Sequence, residues 1–273
     1  MVELFEQNRK FKTRQSSKGN QLKWENNGTW YKADYAGYEG LSEYMVSHLL
    51  QTSSLLEEEF VCYELEQISY KTQIFRGAKS ADFLSGDWQI ITLERLFEGF
   101  FGKGLNYAIY KIADEKERLR FLVEQTERIT GLKNFGIYMN KLFTIDAFFL
   151  NEDRHTHNIA VLMDGAHRFR LCPFFDHGAS LLSDTTLDYP LEGELYELID
   201  SAKAKTISKD FETQMEVSED LYGQNLQFHF SKKDVEQLLE QADIYPDAIH
   251  ERVRRILFEQ MRRYPYLFPR AMS

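Results

Sequence analysis

The chain has 273 residues, of which 43% are apolar, 28% charged and 14% aromatic; this composition excludes a disordered chain and indicates a globular protein with a sizeable core. Its formal net charge of −10 argues against a protein that coats nucleic acid, and no apolar run approaches the roughly 20 residues that a membrane span needs. The first 18 residues lack the apolar segment of a secretory signal, and two cysteines are too few for a disulfide framework or a zinc cage. We therefore expect a cytoplasmic protein in which Cys62 and Cys172 are buried, reduced thiols.

The first hundred residues are predicted to form short strands and one helix. The pair Asn27 and Gly28 is a strong signal for a tight hairpin turn. Apolar residues that recur at helical spacing predict the single helix. The predicted strands are residues 8–15, 20–25, 30–32, 60–65 and 88–93, and the predicted helix is residues 40–51.

Beyond residue 110 the pattern becomes helical. Residues 135–150 are apolar almost all round, which predicts a buried central helix. The arginines of the last predicted helix have the spacing of a solvated face. Together these patterns predict an α+β protein with a small β-rich N-terminal lobe, residues 1–96, and a larger helical C-terminal lobe, residues 97–273. The predicted helices are residues 113–128, 135–150, 210–220, 232–241 and 246–263.

A polar loop follows the predicted buried helix and carries Asp153, His155 and Asn158. Two strands come after it, at residues 159–163 and 169–172, with a turn between them, and Asp176 follows the second strand. Because a hairpin brings its two open ends together, we expect Asp153 and Asn158 to lie near Asp176.

This arrangement suits phosphoryl transfer. The reaction needs a carboxylate to orient and deprotonate the attacking hydroxyl, and oxygen ligands for the Mg²⁺ that bridges the nucleotide phosphates. Asp153 is predicted to be the catalytic base, and Asn158 and Asp176 are predicted to be catalytic residues that hold the metal. We do not expect His155 and His157 to make a zinc site, because no third soft ligand is evident nearby. His155 is expected to brace the loop through hydrogen bonds.

The motif Asp153-Arg154-His155 with Asn158, followed by Asp176 and its neighbours, resembles the catalytic and metal-binding loops of the phosphatidylinositol 3- and 4-kinases. It resembles more closely the HipA-like bacterial serine/threonine kinases, in a compact form. The resemblance implies a two-lobed protein-kinase-like fold, ATP and Mg²⁺, and a protein substrate with a Ser or Thr acceptor. It also implies an antitoxin-like partner.

The N-terminal half carries a second part of the resemblance. Residues 19–23 resemble the phosphate-binding loop of HipA-like kinases, and Lys32 occupies the place of the lysine that engages the nucleotide phosphates. Either Glu39 or Glu43 can pair with Lys32. The segment linking the lobes is expected near residues 90–96, where backbone groups would receive adenine. The residues that the resemblance assigns to nucleotide binding are Ser17, Lys18, Gly19, Gln21, Lys23, Lys32, Glu94, Leu96 and His155.

Several alternatives stay open at the level of sequence. A lipid or small-molecule kinase shares the same loops, and a nucleotide-binding pseudokinase would have the same fold without turnover. HipA-like kinases can phosphorylate serines of their own phosphate-binding loop, which here means Ser16 or Ser17. Residues 180–186 form either a loop that docks the acceptor or a plain surface loop.

Overall fold

The computed structural model describes residues 1–10 and 21–269 and has the predicted α+β class. The strands are β1 Val2–Glu3, β2 Lys23–Asn26, β3 Thr29–Ala33, β4 Glu64–Tyr70, β5 Gln73–Ala81, β6 Gln89–Thr92, β7 Ala160–Met163 and β8 Phe169–Leu171. The α-helices are α1 Glu39–Leu50, α2 Leu93–Phe101, α3 Leu105–Ile109, α4 Glu115–Thr130, α5 Phe135–Phe149, α6 Leu195–Ser201, α7 Phe211–Tyr222, α8 Lys232–Gln241 and α9 Asp247–Arg263.

Six of these helices, α1, α4, α5, α7, α8 and α9, begin and end within two residues of their predicted positions. Capping groups mark the ends of α4. The side chain of Asp114 accepts the N–H of Glu117 at 2.8 Å at the start of α4, and Gly131 ends that helix in the left-handed conformation. Local side-chain chemistry therefore defines both ends of this helix.

The described residues divide into two compact units, and each is assembled from separate stretches of chain. The first unit takes in the described residues of Met1–Phe83, Phe175–Ala202 and Gln227–Ser273, and the second takes in Leu84–Phe174 and Lys203–Leu226. This differs from the predicted division into two continuous lobes after residue 96. Contacts between separate stretches of the first unit join them: Tyr245 donates to Asp34 at 2.8 Å, and Arg252 donates to the carbonyl of Tyr189 at 3.0 Å.

Arg252 also differs from its prediction in another respect. It was expected on a solvated face, but it is buried beside the backbone of Tyr189 and Pro190, with a second guanidinium bond of 3.1 Å to Pro190. Arg252 is therefore buried because its guanidinium group donates to carbonyl groups of a loop that is distant in sequence.

The sheet of the first unit has the strand order β1-β4-β5-β3-β2. Strands β2 and β3 form the predicted hairpin, and its turn residues Asn27 and Gly28 have φ values of 50° and 75°. Both central residues of such a turn need positive φ, which is why this residue pair is so strong a signal.

The register of the hairpin sorts its side chains onto two faces. Lys23 lies opposite Lys32, so both lysines project from the same face of the sheet. Trp24 lies opposite Tyr31, and these two rings point to the other face, where they pack in a core with Ile68 and its neighbours. The alternation of side chains along a strand thus gives one hairpin both a core face and a cationic face.

The second half of this sheet was predicted incorrectly. Residues 60–65 were expected to form a strand, whereas β4 is Glu64–Tyr70, and β5 was not predicted. The turn between them is Lys71 and Thr72, which have φ values of 48° and 66°. Neither residue type favours positive φ, so the sequence carries no turn signal at this position.

Helix α1 and strand β5 approach each other very closely at Gly40 of the helix and Gly77 of the strand. A Cβ added to Gly40 would fall 2.5 Å from the carbonyl carbon of Gly77 and 2.8 Å from the Tyr245 hydroxyl oxygen. The backbone of β5 cannot move away without disturbing its ladder. The close approach of α1 to β5 therefore requires glycine at this position.

We expect Gly40→Ala to lower the free energy of unfolding by about 1–3 kcal/mol, because the added methyl group forces α1 away from β5. The matched control is Gly99→Ala in α2, where an added Cβ meets nothing within 4 Å. That change should be neutral or stabilise by up to about 1 kcal/mol through helix propensity. Urea unfolding followed by circular dichroism measures both, and equal midpoints for the two variants would contradict the prediction.

The second unit contains the sheet β6-β7-β8 together with helices α2 to α5 and α7. Helix α5 is the predicted buried helix, and Phe143, Phe148 and Phe149 on it are fully buried. Strands β7 and β8 form the predicted antiparallel hairpin, in which Val161 pairs with Leu171. No helix in the described part of the chain is long and apolar enough to cross a bilayer.

The two cysteines differ in exposure. Cys172 is buried, as predicted. Cys62 was predicted to be buried and is exposed, because it lies in the irregular segment before β4 and not within a strand.

Candidate active site

In the second unit, the predicted catalytic loop begins at the end of α5. Leu150 has left-handed backbone angles, φ 56° and ψ 50°, and its N–H donates to the carbonyl of Asp146. The Asp146 carboxylate, on the last turn of α5, accepts Nδ2 of Asn151 at 2.9 Å and Nε of Arg154 at 3.0 Å. Asp146 and Arg154 are both buried, so their ion pair ties the loop to the helix.

Asp153 and Asn158 are brought together within this loop. Nδ2 of Asn158 donates to the backbone carbonyl of Asp153 at 2.8 Å and to its Oδ2 at 3.0 Å. The carbonyl of Asn158 in turn accepts a guanidinium N–H of Arg154 at 3.1 Å. Because the Asn158 amide nitrogen is used in this way, its Oδ1 oxygen is the atom that can coordinate a cation.

His155 occupies the bracing position that the sequence predicts. Its Nδ1 accepts the N–H of His157 at 3.2 Å, and its Nε2 lies 3.6 Å from Oδ1 of Asp153. Burial lowers the pKa of His155 and outweighs the opposing influence of the Asp153 carboxylate. A neutral imidazole with its proton on Nε2 therefore faces the predicted base.

Other contacts anchor the loop at its outer side. The Thr206 hydroxyl donates to the carbonyl of Arg154, and the N–H of Lys203 donates to Oε1 of Glu152 at 2.8 Å. Glu152 and Arg154 of the loop are thus held by the segment that leads into α7. These contacts join positions about 50 residues apart, and nothing in the sequence predicts them.

In the first unit, Lys32 and Asp176 form a tight cluster with Glu43. Nζ of Lys32 lies 2.5 Å from Oε1 of Glu43 and 2.7 Å from Oδ1 of Asp176. Nζ of Lys23, on the same face of the hairpin, lies 3.8 Å from the same Asp176 oxygen. Two lysines and two carboxylates therefore meet beside β2 and β3.

The choice between Glu39 and Glu43 is decided by the geometry of α1. Glu43 is 1% exposed and points at Lys32, whereas the Glu39 carboxylate accepts the N–H groups of Ala36 and Gly37 before the helix. Glu39, at the start of α1, accepts backbone N–H groups that precede the helix. Glu43, one turn later, reaches Lys32.

Burial alone would lower the pKa of Lys32, but the carboxylates of Asp176 and Glu43 hold it well above its ordinary value. The lysine is therefore charged at neutral pH. A cation at this point can balance the charge of Asp176 and of phosphate groups near it.

Asp176 is held by its backbone as well as by its side chain. Its φ is 62°, and its N–H donates to the hydroxyl of Tyr63 at 3.4 Å. The Tyr63 ring lies 5.1 Å from Nζ of Lys32, and the next backbone N–H, of His177, donates to Oε2 of Glu43 at 2.8 Å. Glu43 therefore orients both Lys32 and the strained backbone that carries Asp176.

A buried carboxyl group, Asp34, holds the start of α1. It accepts the N–H of Gly40 at 2.6 Å and the hydroxyl of Tyr245 at 2.8 Å. Burial and, to a smaller extent, the nearby Glu39 carboxylate raise the pKa of Asp34 to about 7, although the two hydrogen bonds and Arg76 oppose the rise. The helix that carries Glu43 is thus anchored by a group that titrates near neutrality.

This shift predicts a pH dependence of stability. The pKa of Asp34 rises from 3.8 to about 7 on folding, so its stabilising contribution is complete below about pH 4 and is lost as the pH rises through 7. Between pH 4 and 8 the stability of wild type relative to Asp34→Asn should fall by up to about 4 kcal/mol. Urea unfolding at several pH values measures this difference, with the exposed Asp243→Asn as control. A constant difference between wild type and Asp34→Asn would contradict the prediction.

The predicted site residues are distributed over both units. Gln21, Lys23, Lys32 and Asp176 belong to the first, whereas Asp153, His155 and Asn158 belong to the second. The proximity of Asp153 and Asn158 to Asp176 stays a prediction from the hairpin. Four predicted residues of the phosphate-binding loop lie outside the described residues: Ser16, Ser17, Lys18 and Gly19.

Glu94 and Leu96, whose backbone groups are predicted to receive adenine, lie in the first turns of α2. Their role in nucleotide binding stays a prediction. The Glu94 N–H donates to the carbonyl of Thr156 at 3.3 Å, and its carboxylate accepts the Thr156 hydroxyl at 2.7 Å. Glu94 thus anchors the predicted catalytic loop.

Residues 180–186 are not the plain surface loop that one alternative described. Ser180, Leu181 and Leu182 are buried, and both leucines have a φ of 56°. The Ser180 carbonyl accepts the hydroxyl of Ser42 on α1 at 3.0 Å, so this segment packs against the helix that carries Glu43.

Two important groups were missed at the sequence level. Tyr63 carries no local signal, because a tyrosine within a predicted strand is ordinary. Asp146 does carry one, since it is the only acidic residue in a predicted buried helix, and a buried carboxylate requires a partner.

Comparisons with known proteins bear on the fold. No family model matches the chain, and no curated protein matches it. Among solved structures, it is similar to the Helicobacter pylori proinflammatory kinase CtkA, with a TM-score of 0.60 and 15% sequence identity. The match covers 89% of this chain and 90% of that one. The chain therefore has a protein-kinase-like fold, as predicted.

Proposed function

We propose that this protein is an ATP- and Mg²⁺-dependent phosphotransferase that acts on Ser or Thr hydroxyls of proteins, in the manner of HipA-like kinases. One observation carries the proposal: Lys32 lies within 3 Å of carboxylates from both Glu43 and Asp176. A buried lysine on a strand, paired with a helix glutamate, is a recurring part of the phosphate-binding machinery in kinases. The fold shared with a kinase is consistent with this interpretation.

Each group has a proposed role that follows from its chemistry. Lys32 binds nucleotide phosphate, with Lys23 adding positive charge from the same face of the hairpin. Asp153 orients the acceptor hydroxyl and takes its proton, while His155 and Asn158 keep the carboxylate in position. Gln21 and the loop before it are proposed to contact the phosphates.

The residues proposed to hold Mg²⁺ fit the ion by donor type. Asp176 offers a carboxylate and Asn158 an amide oxygen, both hard donors of the kind that Mg²⁺ takes together with phosphate and water. When bound, the ion would neutralise the charge of the phosphates during transfer. Lys32 lies against Asp176 and balances the carboxylate's charge.

Transfer of label from γ-labelled ATP tests the proposal. The full chain is incubated with Mg²⁺ and a cell lysate, beside Asp176→Ala and the exposed control Asp243→Ala. Wild type and the control should label protein Ser or Thr, whereas Asp176→Ala and an EDTA-treated sample should not. Equal labelling by Asp176→Ala would refute the assignment.

The same experiment separates the alternatives. Label in lipids or small metabolites would favour the other kinase classes. A thermal shift with Mg·ATP but no labelling would favour a pseudokinase. Mass spectrometry after incubation with Mg·ATP would reveal phosphate on Ser16 or Ser17 if the protein phosphorylates itself. A cytoplasmic location and an antitoxin-like partner stay predictions.

A further inference from the structure

A second group of ligand-type side chains lies in the first unit, separate from the Lys32 cluster. It consists of His48 on α1, Cys62 in the segment before β4, and Glu64 at the start of β4. Their candidate ligand atoms all lie within 4.8 Å of one another. None of these three residues has a role in the proposed phosphoryl transfer.

The imidazole of His48 already faces two oxygen atoms. Its Nε2 lies 3.3 Å from Oε1 of Glu64 and 3.2 Å from the carbonyl oxygen of Tyr63. A hydrogen atom on Nε2 serves these acceptors when no metal is bound, and a divalent cation can take its place. On the other side, Nε2 of Gln51 donates to Sγ of Cys62 at 3.0 Å and orients the sulfur.

The donor set points to one class of ion. A thiolate, an imidazole and a carboxylate suit Zn²⁺ and related transition metals, whereas Mg²⁺ takes oxygen donors and would not select this set. Tetrahedral zinc bonds of about 2.0–2.3 Å place ligand atoms about 3.3–3.8 Å apart. The His48 Nε2 and Glu64 Oε1 atoms, 3.3 Å apart, already have this spacing, and a pair at the outer limit of 4.8 Å would approach by about 1 Å.

We propose that His48, Cys62 and Glu64 form a binding site for a zinc-class divalent cation, with the fourth position open to water. Cys62 loses its thiol proton on binding, and the sulfur then bonds the metal. The proposal stands on these three side chains and does not depend on phosphotransferase activity.

The location of the site gives it a structural consequence. Cys62 and Glu64 flank Tyr63, whose hydroxyl accepts the N–H of Asp176. His48 lies on the same helix as Glu43, which pairs with Lys32. A cation bound here would join α1 to the start of β4 and hold the segment that carries Tyr63. We therefore expect Zn²⁺ to raise the melting temperature of the protein.

The test uses untagged full-length protein that has been stripped with a chelator and then titrated with Zn²⁺ in a calorimeter and with Co²⁺ in a spectrophotometer. One equivalent should bind, and Co²⁺ should give a thiolate-to-metal charge-transfer band. Cys62→Ser should lose the band, and both Cys62→Ser and His48→Gln should bind Zn²⁺ at least about tenfold more weakly. Cys172→Ser is the matched control, because it removes the other, buried thiol and should keep the band.

Several outcomes would overturn the proposal. These are the absence of saturable binding to wild type, a band that survives in Cys62→Ser, and affinities unchanged in both variants. Circular dichroism of each variant identifies a loss of folding. If Cys62→Ser did not fold, His48→Gln and Glu64→Gln would decide the matter, since Glu64 is exposed and its substitution should leave the fold intact.

Discussion

Asp153→Asn should slow phosphoryl transfer by about 10²- to 10⁴-fold while leaving the binding of Mg·ATP nearly unchanged. The asparagine keeps an oxygen that can accept Nδ2 of Asn158, so the loop should retain its shape. It cannot accept the proton of the acceptor hydroxyl. The loss should therefore appear in kcat and not in nucleotide affinity.

Asp176→Asn is the matched comparison for this experiment. It removes the charge that faces Lys32 and replaces the proposed carboxylate ligand of the metal with a neutral amide, so it should weaken Mg·ATP binding as well as turnover. Single-turnover rates and Mg·ATP thermal shifts measure the two properties separately. If Asp153→Asn retained wild-type turnover, or lost nucleotide binding as fully as Asp176→Asn, Asp153 would not be the base.

Arg154→Leu should lower the free energy of unfolding by about 3–5 kcal/mol, because it leaves the Asp146 carboxylate buried without its charge partner. Arg154 and Asp146 are 3% and 0% exposed, so solvent cannot take the place of the lost guanidinium. The loop that carries Asp153 would lose its tie to α5. Turnover should therefore fall together with stability.

Two further variants show whether the unpaired buried charge causes the loss of stability in Arg154→Leu. The pair of Arg120 and Glu117 on α4 is exposed, so Arg120→Leu should cost only about 0–1 kcal/mol. The double variant Asp146→Leu with Arg154→Leu removes both charges and should recover much of the stability lost by Arg154→Leu alone. Urea unfolding measures all of them. A double variant no more stable than Arg154→Leu would contradict the explanation.

Prediction from sequence succeeded where one segment contains all the information. Helix α4 has its N-cap, its apolar stripe and its terminal glycine within a single stretch, and the hairpin at Asn27 and Gly28 has its turn signal in two residues. It failed at the hairpin of β4 and β5, where Lys71 and Thr72 adopt positive φ without a residue that favours it. There the pairing of the strands imposes the turn.

In the candidate site, too, features set within one segment could be predicted and features set by packing could not. The loop from Asp153 to Asn158 could be recognised because its members are close in sequence, and they do hydrogen-bond to one another. The ion pair of Asp146 and Arg154 joins α5 to this loop, and its partners could not be assigned without the packing of the helix end. A buried carboxylate needs a charged or hydrogen-bonding partner, and for this reason Asp146 holds Arg154 of the loop.

The Lys32 cluster shows most clearly which features cannot be predicted from the sequence alone. The resemblance to HipA-like kinases singled out Lys32, the hairpin pattern singled out Asp176, and the two side chains meet at 2.7 Å. Only the tertiary structure decided that Glu43 pairs with Lys32 and that Glu39 does not. The reason is physical: helix rotation and the packing of α1 against the sheet set the direction of each side chain, and both depend on contacts distant in sequence.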